Sequence, residues 1–128
     1  MIERLIRDYD EFHDALILNF EYKTNIDLSD EKFKQDVEEI ILVISCFNFE
    51  KDFIRETVSI VFKDVVDFRY KKFEGMVINL LVEKENDNFI FDFDPTILSV
   101  EIDGKFILER NLNSYLSIKF KNLAYEII

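Results

Sequence analysis

The sequence predicts a mainly β protein: an antiparallel sheet or β-sandwich of about eight strands with one or two short peripheral helices, with α+β as the alternative class. Short runs dense in valine, isoleucine and phenylalanine recur along the chain, and these residues pack well on pleated sheets. Turn-forming residues separate the runs, most clearly at Asp103-Gly104. The intervals between runs are too short for the helical crossovers that join parallel strands.

The N-terminal segment changes from a helical to a strand pattern. Four apolar residues at helical spacing predict a short N-terminal helix: Ile2, Leu5, Ile6 and Tyr9. From Ala15 to Tyr22 the pattern alternates, with Leu16, Leu18, Phe20 and Tyr22 on one face. Apolar residues such as Ile17 also occupy the other face, which predicts that this is a central strand.

Residues 24–39 are the most polar stretch, and two interpretations remain open for residues 28–39. Ser29 or Asp30 could cap a short helix in which Phe33, Val37 and Ile41 share one face. The alternative is an irregular acidic loop. The helix is the preferred interpretation.

The remaining strands follow from dense apolar runs bounded by turn formers. They are predicted at 40–49, 57–63, 76–83, 89–93, 97–102, 105–109, 115–120 and 123–127. Within residues 63–75, Asp64 to Phe68 fits either a bulged continuation of the preceding strand or a turn. Asp103-Gly104 predicts a hairpin closed by a type I′ turn, which needs positive φ at both central residues.

The composition predicts one folded domain, 1–128. The chain has 128 residues, of which 48% are hydrophobic and 15% aromatic, which excludes the low hydrophobicity of disordered proteins. A single cysteine gives no sign of an oxidising compartment, and the N-terminus lacks the apolar stretch of a signal peptide. The longest apolar run, Ile40 to Ile44, is too short to cross a bilayer. We therefore expect a cytoplasmic protein.

The net charge of −11 indicates what kind of partner the protein favours. Direct binding to nucleic acid or to an anionic membrane would be repelled, whereas a basic protein would be attracted. Two segments, 27–39 and 83–94, each carry a local charge of −4. A solvated surface is the common explanation for such runs. If the two segments meet in space, their acidic residues become candidates for partner binding: Asp27, Asp30, Glu31, Asp36, Glu38, Glu39, Glu83, Glu85 and Asp87.

Residues able to support catalysis are scarce. His13 lies beside Asp14 but has no serine or cysteine near it in sequence, so we expect it to fix a local turn. Cys46 lies inside an apolar run and is expected to be a small buried hydrophobe. Asp92 and Asp94 alternate along one strand, about 6.5–7 Å apart, a spacing that could bind Ca²⁺ or provide an acid and a base. The alternative for this pair is the solvated face of an amphipathic strand.

Three short segments carry a family resemblance. Phe12-His13-Asp14-Ala15, leading into a strand, resembles the opening of small bacterial immunity proteins with an FHD motif, which are associated with polymorphic toxins. Val61-Phe62-Lys63-Asp64-Val65 and the segment 116–123 resemble later signatures of such proteins. The resemblance implies a non-enzymatic inhibitor that binds a cognate toxin and needs no cofactor. Phe12, His13 and Asp14 would then be a structural motif.

The leading hypothesis is therefore an immunity-type protein that neutralises a basic toxin through an acidic surface. One alternative is a carboxylate-based metal-binding protein or enzyme centred on Asp92 and Asp94, with Glu101 or Asp103. Another is a structural β module that assembles through exposed strand edges. The identity of the toxin and the oligomeric state are left open.

Overall fold

The computed structural model describes residues 2–26, 35–73 and 75–128. The prediction of a mainly β fold is confirmed, with 58% strand and 12% helix. In the described residues the elements are α1 (Ile2–Asp8), β1 (Leu16–Ile26), β2 (Gln35–Asn48), β3 (Ile54–Lys63), β4 (Asp67–Tyr70), β5 (Leu81–Glu85), β6 (Asn88–Asp92), β7 (Thr96–Val100), β8 (Phe106–Glu109), β9 (Leu116–Phe120) and β10 (Asn122–Ile127), with short 3-10 turns at Asp10–Phe12 and Phe49–Lys51. None of the helical turns in these ranges has the length and apolarity of a membrane span.

The strands form two antiparallel sheets and a ribbon. The first sheet has the order β1-β2-β3-β10, the second the order β4-β9-β6-β5, and β7 pairs with β8. The two sheets pack through phenylalanine rings: Phe62 of β3 lies edge-on to Phe91 of β6 and Phe120 of β9, with ring centroids 5.5 and 4.8 Å away. All three rings are fully buried. The fold is therefore a β-sandwich with an aromatic core.

Strand β1 lies at an edge of its sheet, so the prediction of a central strand was wrong. Its pairing with β2 shifts register between Ile17 and Asn19, which places Leu18 in a bulge where it is 56% exposed. On the other side of the bulge, Phe20 stacks on Tyr70 of β4 at 4.2 Å. The apolar residues on both faces thus reflect a bulged edge strand rather than burial on two sides.

Residues 35–41 belong to β2, so the helix predicted across this region was wrong for that part. Val37 pairs with Asn25 of β1, and Ile41 pairs with Glu21 of β1 and Val61 of β3. Branched side chains favour strands, and this long-range pairing outweighs a weak helical spacing. The remaining residues of the proposed helix, including Ser29, Asp30 and Phe33, lie outside the described residues.

The strand predicted at 76–83 is regular only from Leu81 onward. Residues 76–80 instead connect to the segment between α1 and β1. Val77 forms a bridge with Ala15, and the N–H of Leu80 donates to the carbonyl of Glu11 at 2.9 Å. The apolar pattern thus marks a half-buried connection as well as a strand: Val77 and Leu80 are buried, whereas Met76 and Ile78 are exposed.

The hairpin at Asp103-Gly104 is confirmed, but its predicted type I′ turn is wrong. Of the two central residues only Gly104 has positive φ, at 85°. The N–H of Gly104 donates to the carbonyl of Glu101 at 2.9 Å, and the N–H of Glu101 donates to the carbonyl of Lys105 at 2.8 Å. This is the longer hairpin loop in which glycine occupies the left-handed position.

The register defines two ends of the sandwich. Lys63, at the end of β3, pairs with Glu39 and Asn122, and Asp67, at the start of β4, pairs with Lys119. Both connections between the sheets, β3 to β4 and β9 to β10, therefore lie at one end, which we call the crossover end. The β2–β3 turn and the start of β1 lie at the opposite end, which we call the loop end.

Candidate interaction surface

The predicted partner-binding carboxylates that the structure describes share the crossover end. Glu38 and Glu39 lie on β2 near its pairing with Lys63, and the β5–β6 turn brings Glu85 and Asp87 to the same end, beside the end of β9. Glu83 points outward from β5 two residues earlier. Asp27, Asp30 and Glu31 fall outside the described residues, as does the side chain of Asp36, whose backbone belongs to β2.

Cations alternate with these carboxylates. Glu39 pairs across the sheet with Lys23 on one side and Lys63 on the other. The carboxylate of Glu85 lies 3.4 Å from the Lys119 ammonium and 3.9 Å from the Arg110 guanidinium. In the described residues the crossover end is therefore a mixed-charge surface.

Asp92 is fully buried, so its predicted place on a solvated face was wrong. Its Oδ1 accepts the N–H of Asp94 at 2.9 Å, and its Oδ2 accepts the N–H of Asn111 at 2.8 Å. Asn111 belongs to the β8–β9 connection, which covers the outer face of the second sheet. Both carboxylate oxygens of Asp92 therefore accept a hydrogen bond from a backbone N–H.

Asp94 belongs to the same network. Burial raises the pKa of its carboxyl group, although the N–H of Tyr115, 3.4 Å from Oδ2, opposes the shift. The side-chain amide of Asn111 donates to the Asp94 carbonyl at 2.9 Å. Within residues 2–26, 35–73 and 75–128, no three His, Cys, Asp or Glu side chains group as a metal site would require.

Cys46 and His13 occupy opposite environments. Cys46 is fully buried on β2, as predicted, and burial raises the pKa of its thiol to about 12. His13 is exposed, with its Nδ1 3.1 Å from Oδ2 of Asp14. Phe12, the residue before His13, is fully buried like Cys46, and its ring packs against Tyr9 and Phe93.

The segment that carries Phe12-His13-Asp14 has an unusual backbone. Asp10, Glu11, Phe12 and Asp14 all have φ between 47° and 61°, a left-handed region that bulky residues rarely adopt. Burial of the Phe12 ring offsets this cost, and the N–H of Asp14 donates to the carbonyl of Val77 at 2.8 Å. The result is an anchored loop that turns its charged side chains outward.

A buried-to-surface hydrogen-bond network ties this loop to the β2–β3 turn. The Tyr9 hydroxyl donates to the Glu56 carboxylate at 2.8 Å, the Asn48 amide donates at 3.2 Å, and the Lys51 ammonium lies 3.1 Å away. Burial opposes ionisation of Glu56, but these donors outweigh it and lower the pKa of the carboxyl group. Burial of the Tyr9 hydroxyl raises its pKa, and the hydrogen bond to Glu56 raises it further. The two segments thus hold a fixed relative position.

Two phenylalanines project from the β2–β3 turn. Phe49 is 45% exposed, Phe53 is 57% exposed, and their rings meet edge-on at 4.3 Å. The Asn48 side chain fixes the turn by accepting the N–H of Glu50 at 2.9 Å. Beside them, a depression of about 280 Å³ is bounded by the rings and by the α1–β1 loop, including His13. Exposed aromatic rings on a rigid turn are typical of protein interfaces.

Carboxylates surround these rings. We define the aromatic–acidic surface as Asp10, Glu11, His13, Asp14, Phe49, Glu50, Asp52 and Phe53, all of them exposed. Of the nearby cations, Lys51 is paired with Glu56, and Arg55 packs over Phe47 and donates to Ser45. Lys105 faces Asp10 and Glu11 across a separate depression. The five carboxylates of this surface, Asp10, Glu11, Asp14, Glu50 and Asp52, therefore outnumber the cations described beside it.

From the sequence, Phe12, His13 and Asp14 were expected to be structural, and the aromatic–acidic surface was not predicted as a binding site. A signal was present, because residues 47–53 hold three phenylalanines in a segment that reverses the chain. A reversal is normally polar, so aromatic residues there indicate a use other than burial.

Comparisons of the chain with protein-family models, with curated proteins and with solved structures find no match.

Proposed function

We propose that this protein is a non-enzymatic, immunity-type inhibitor that binds a basic bacterial toxin through the aromatic–acidic surface. The observation that carries the proposal is the exposed Phe49–Phe53 pair amid five carboxylates on two segments held together by the Tyr9–Glu56 bond. The resemblance of Phe12-His13-Asp14-Ala15 to the opening of FHD-type immunity proteins supports it.

The rings would supply most of the binding energy. Aromatic side chains at the centre of an interface commonly dominate affinity, and near-neutral polar contacts around them exclude water. Because Phe49 and Phe53 already pack on one another, little side-chain entropy is lost when a partner covers them.

The carboxylates would supply steering and selectivity. A toxin that cleaves nucleic acid needs a cationic groove, and a preformed anionic surface is complementary to such a groove. Asp10, Asp14 and Asp52 lie on left-handed backbone in the two segments that the Tyr9–Glu56 bond holds together. The inhibitor would then occupy the groove and keep substrate out.

The proposal is tested by co-expression with the toxin whose gene the family resemblance predicts beside the gene of this chain. The wild-type chain should restore growth and form a stable complex. Replacing both rings, in Phe49→Ser with Phe53→Ser, should weaken the complex by roughly 100-fold or more and remove protection.

A matched control uses Val66→Ser with Leu112→Ser, which removes two apolar side chains that are 49% and 75% exposed but lie away from the α1–β1 loop. This variant should protect as well as the wild type. Failure of the wild-type chain to bind or protect against the toxin would contradict the proposal, as would equal loss of protection in the control.

A further inference from the structure

A second depression, on the outer face of the β4-β9-β6-β5 sheet, gathers positive charge in this acidic protein. It measures about 330 Å³ and is lined by Arg69 of β4, Lys119 of β9 and Arg110 of the β8–β9 connection. Ser117 and Asn111 add a hydroxyl and an amide, and Asp67 is the one acidic residue among the described lining residues. We propose that this depression, which we call the cationic cleft, binds a small multiply charged oxyanion.

The sheet register places the cations. Arg69 pairs with Ser117, and Asp67 pairs with Lys119, so these side chains share the outer face of β4 and β9. Arg110 reaches the same face because the N–H of Asn111 is fixed by the buried Asp92 carboxylate. Three cationic side chains from three separate chain segments thus converge at fixed positions.

The cleft is a built recess. Its floor is Ile90, which is only 1% exposed although it faces away from the sandwich core, because the β8–β9 connection covers this side of the sheet. A recess with an apolar floor and charged walls strengthens electrostatic attraction, since less water screens the charges. Its volume lies within the range of small-molecule sites.

A carboxylate of the chain itself, that of Glu85, already lies beside two of the cations, which indicates that the cleft favours an oxyanion. Lys119 and Arg110 both approach Glu85, which is itself half exposed and only loosely held, at 3.4 and 3.9 Å. The Arg69 guanidinium has neither an ion pair nor a hydrogen bond within the described part of the chain. An oxyanion that bridges Arg69 and Lys119 would give the Arg69 guanidinium hydrogen-bond acceptors. It would compete with the Glu85 carboxylate for the Lys119 ammonium.

The shared ligand chemistry is an oxyanion with two or more negative charges, either a phosphate compound or a polycarboxylate. Guanidinium groups bind both in bidentate geometry. This binding site lies on the outer face of the second sheet and is separate from the aromatic–acidic surface, so it is independent of toxin binding.

Calorimetric titration of the full chain with pyrophosphate and with citrate, at constant ionic strength set with chloride, tests the proposal. At least one of the two should bind, and their relative affinities identify the preferred source of the oxyanion. Arg69→Gln and Lys119→Gln should each weaken binding about tenfold. Glu85→Gln should tighten binding, because it removes the internal competitor.

The matched control is Lys105→Gln, which removes an exposed lysine from the β7–β8 loop and should leave the affinity unchanged. Circular dichroism checks that each variant keeps its fold. The proposal is overturned if neither anion binds above the chloride blank, if Lys105→Gln weakens binding as much as Lys119→Gln, or if Glu85→Gln weakens it.

Discussion

Replacing Phe62 with alanine should lower the free energy of unfolding by about 3–5 kcal/mol. The ring is fully buried between the sheets and lies edge-on to Phe91 and Phe120. Removal of the ring leaves a cavity between the sheets and also deletes two favourable ring–ring contacts. Urea denaturation followed by circular dichroism measures the loss.

The control for this prediction is Phe49→Ala, which removes the same side chain from an exposed turn. Its unfolding free energy should stay within about 1 kcal/mol of the wild-type value. Equal losses in the two variants would contradict the position of Phe62 at the centre of the sandwich. A small loss for Phe49→Ala would also agree with a ring kept for binding rather than for stability.

Replacing Asp92 with alanine should cost about 2–5 kcal/mol, because two backbone N–H groups at a buried position lose their acceptors. These are the N–H groups of Asp94 and Asn111. Loss of the second bond should also release the β8–β9 connection from the sheet. Asp92→Asn keeps one acceptor oxygen and should be destabilised less than the alanine variant.

Asp103→Ala is the control variant for Asp92→Ala. Asp103 also accepts a backbone N–H, from Lys105 at 3.0 Å, but does so in an exposed turn where water can replace it. We expect it to lose less than about 1 kcal/mol. If Asp92→Ala proved as stable as Asp103→Ala, the buried network would not hold the connection in place. Hydrogen exchange at the Asn111 amide gives an independent measurement.

Local pattern was enough to predict the strands whose apolar residues face one core. The strand around Phe62 and the strand that contains Phe91 were predicted within a few residues, because alternation and turn formers act over short distances. The burial of Cys46 followed in the same way.

Long-range contacts account for the errors. The start of β2 is set by pairing with β1, as Val37 opposite Asn25 illustrates, and no local pattern encodes that partner. Asp92 was expected on a solvated face because its strand alternates, but the β8–β9 connection folds over it through Asn111. Connections that cover a sheet leave little trace in the sequence of the strand that they cover.

The aromatic–acidic surface was also predictable only in part, because its local features are visible in sequence and its long-range contacts are not. The acidity of the chain and the Phe12-His13-Asp14 segment were visible in sequence, whereas their juxtaposition with Phe49 and Phe53 depends on the Tyr9–Glu56 bond between residues 47 positions apart. The acidic segments 27–39 and 83–94 were selected from sequence because their charge is dense along the chain. The structure interleaves that charge at the crossover end with lysines such as Lys63.

The association rate constant of the toxin complex shows whether the toxin is recognised through the aromatic–acidic surface. We compare Asp10→Asn/Asp14→Asn/Asp52→Asn, in which asparagine tolerates the left-handed backbone at all three positions, with Glu101→Gln/Glu109→Gln/Glu126→Gln, which removes three exposed charges elsewhere. At low salt the first variant should associate about tenfold more slowly than the second, and the difference should shrink as salt is added. Equal association rates for the two variants at every salt concentration would contradict recognition through the aromatic–acidic surface.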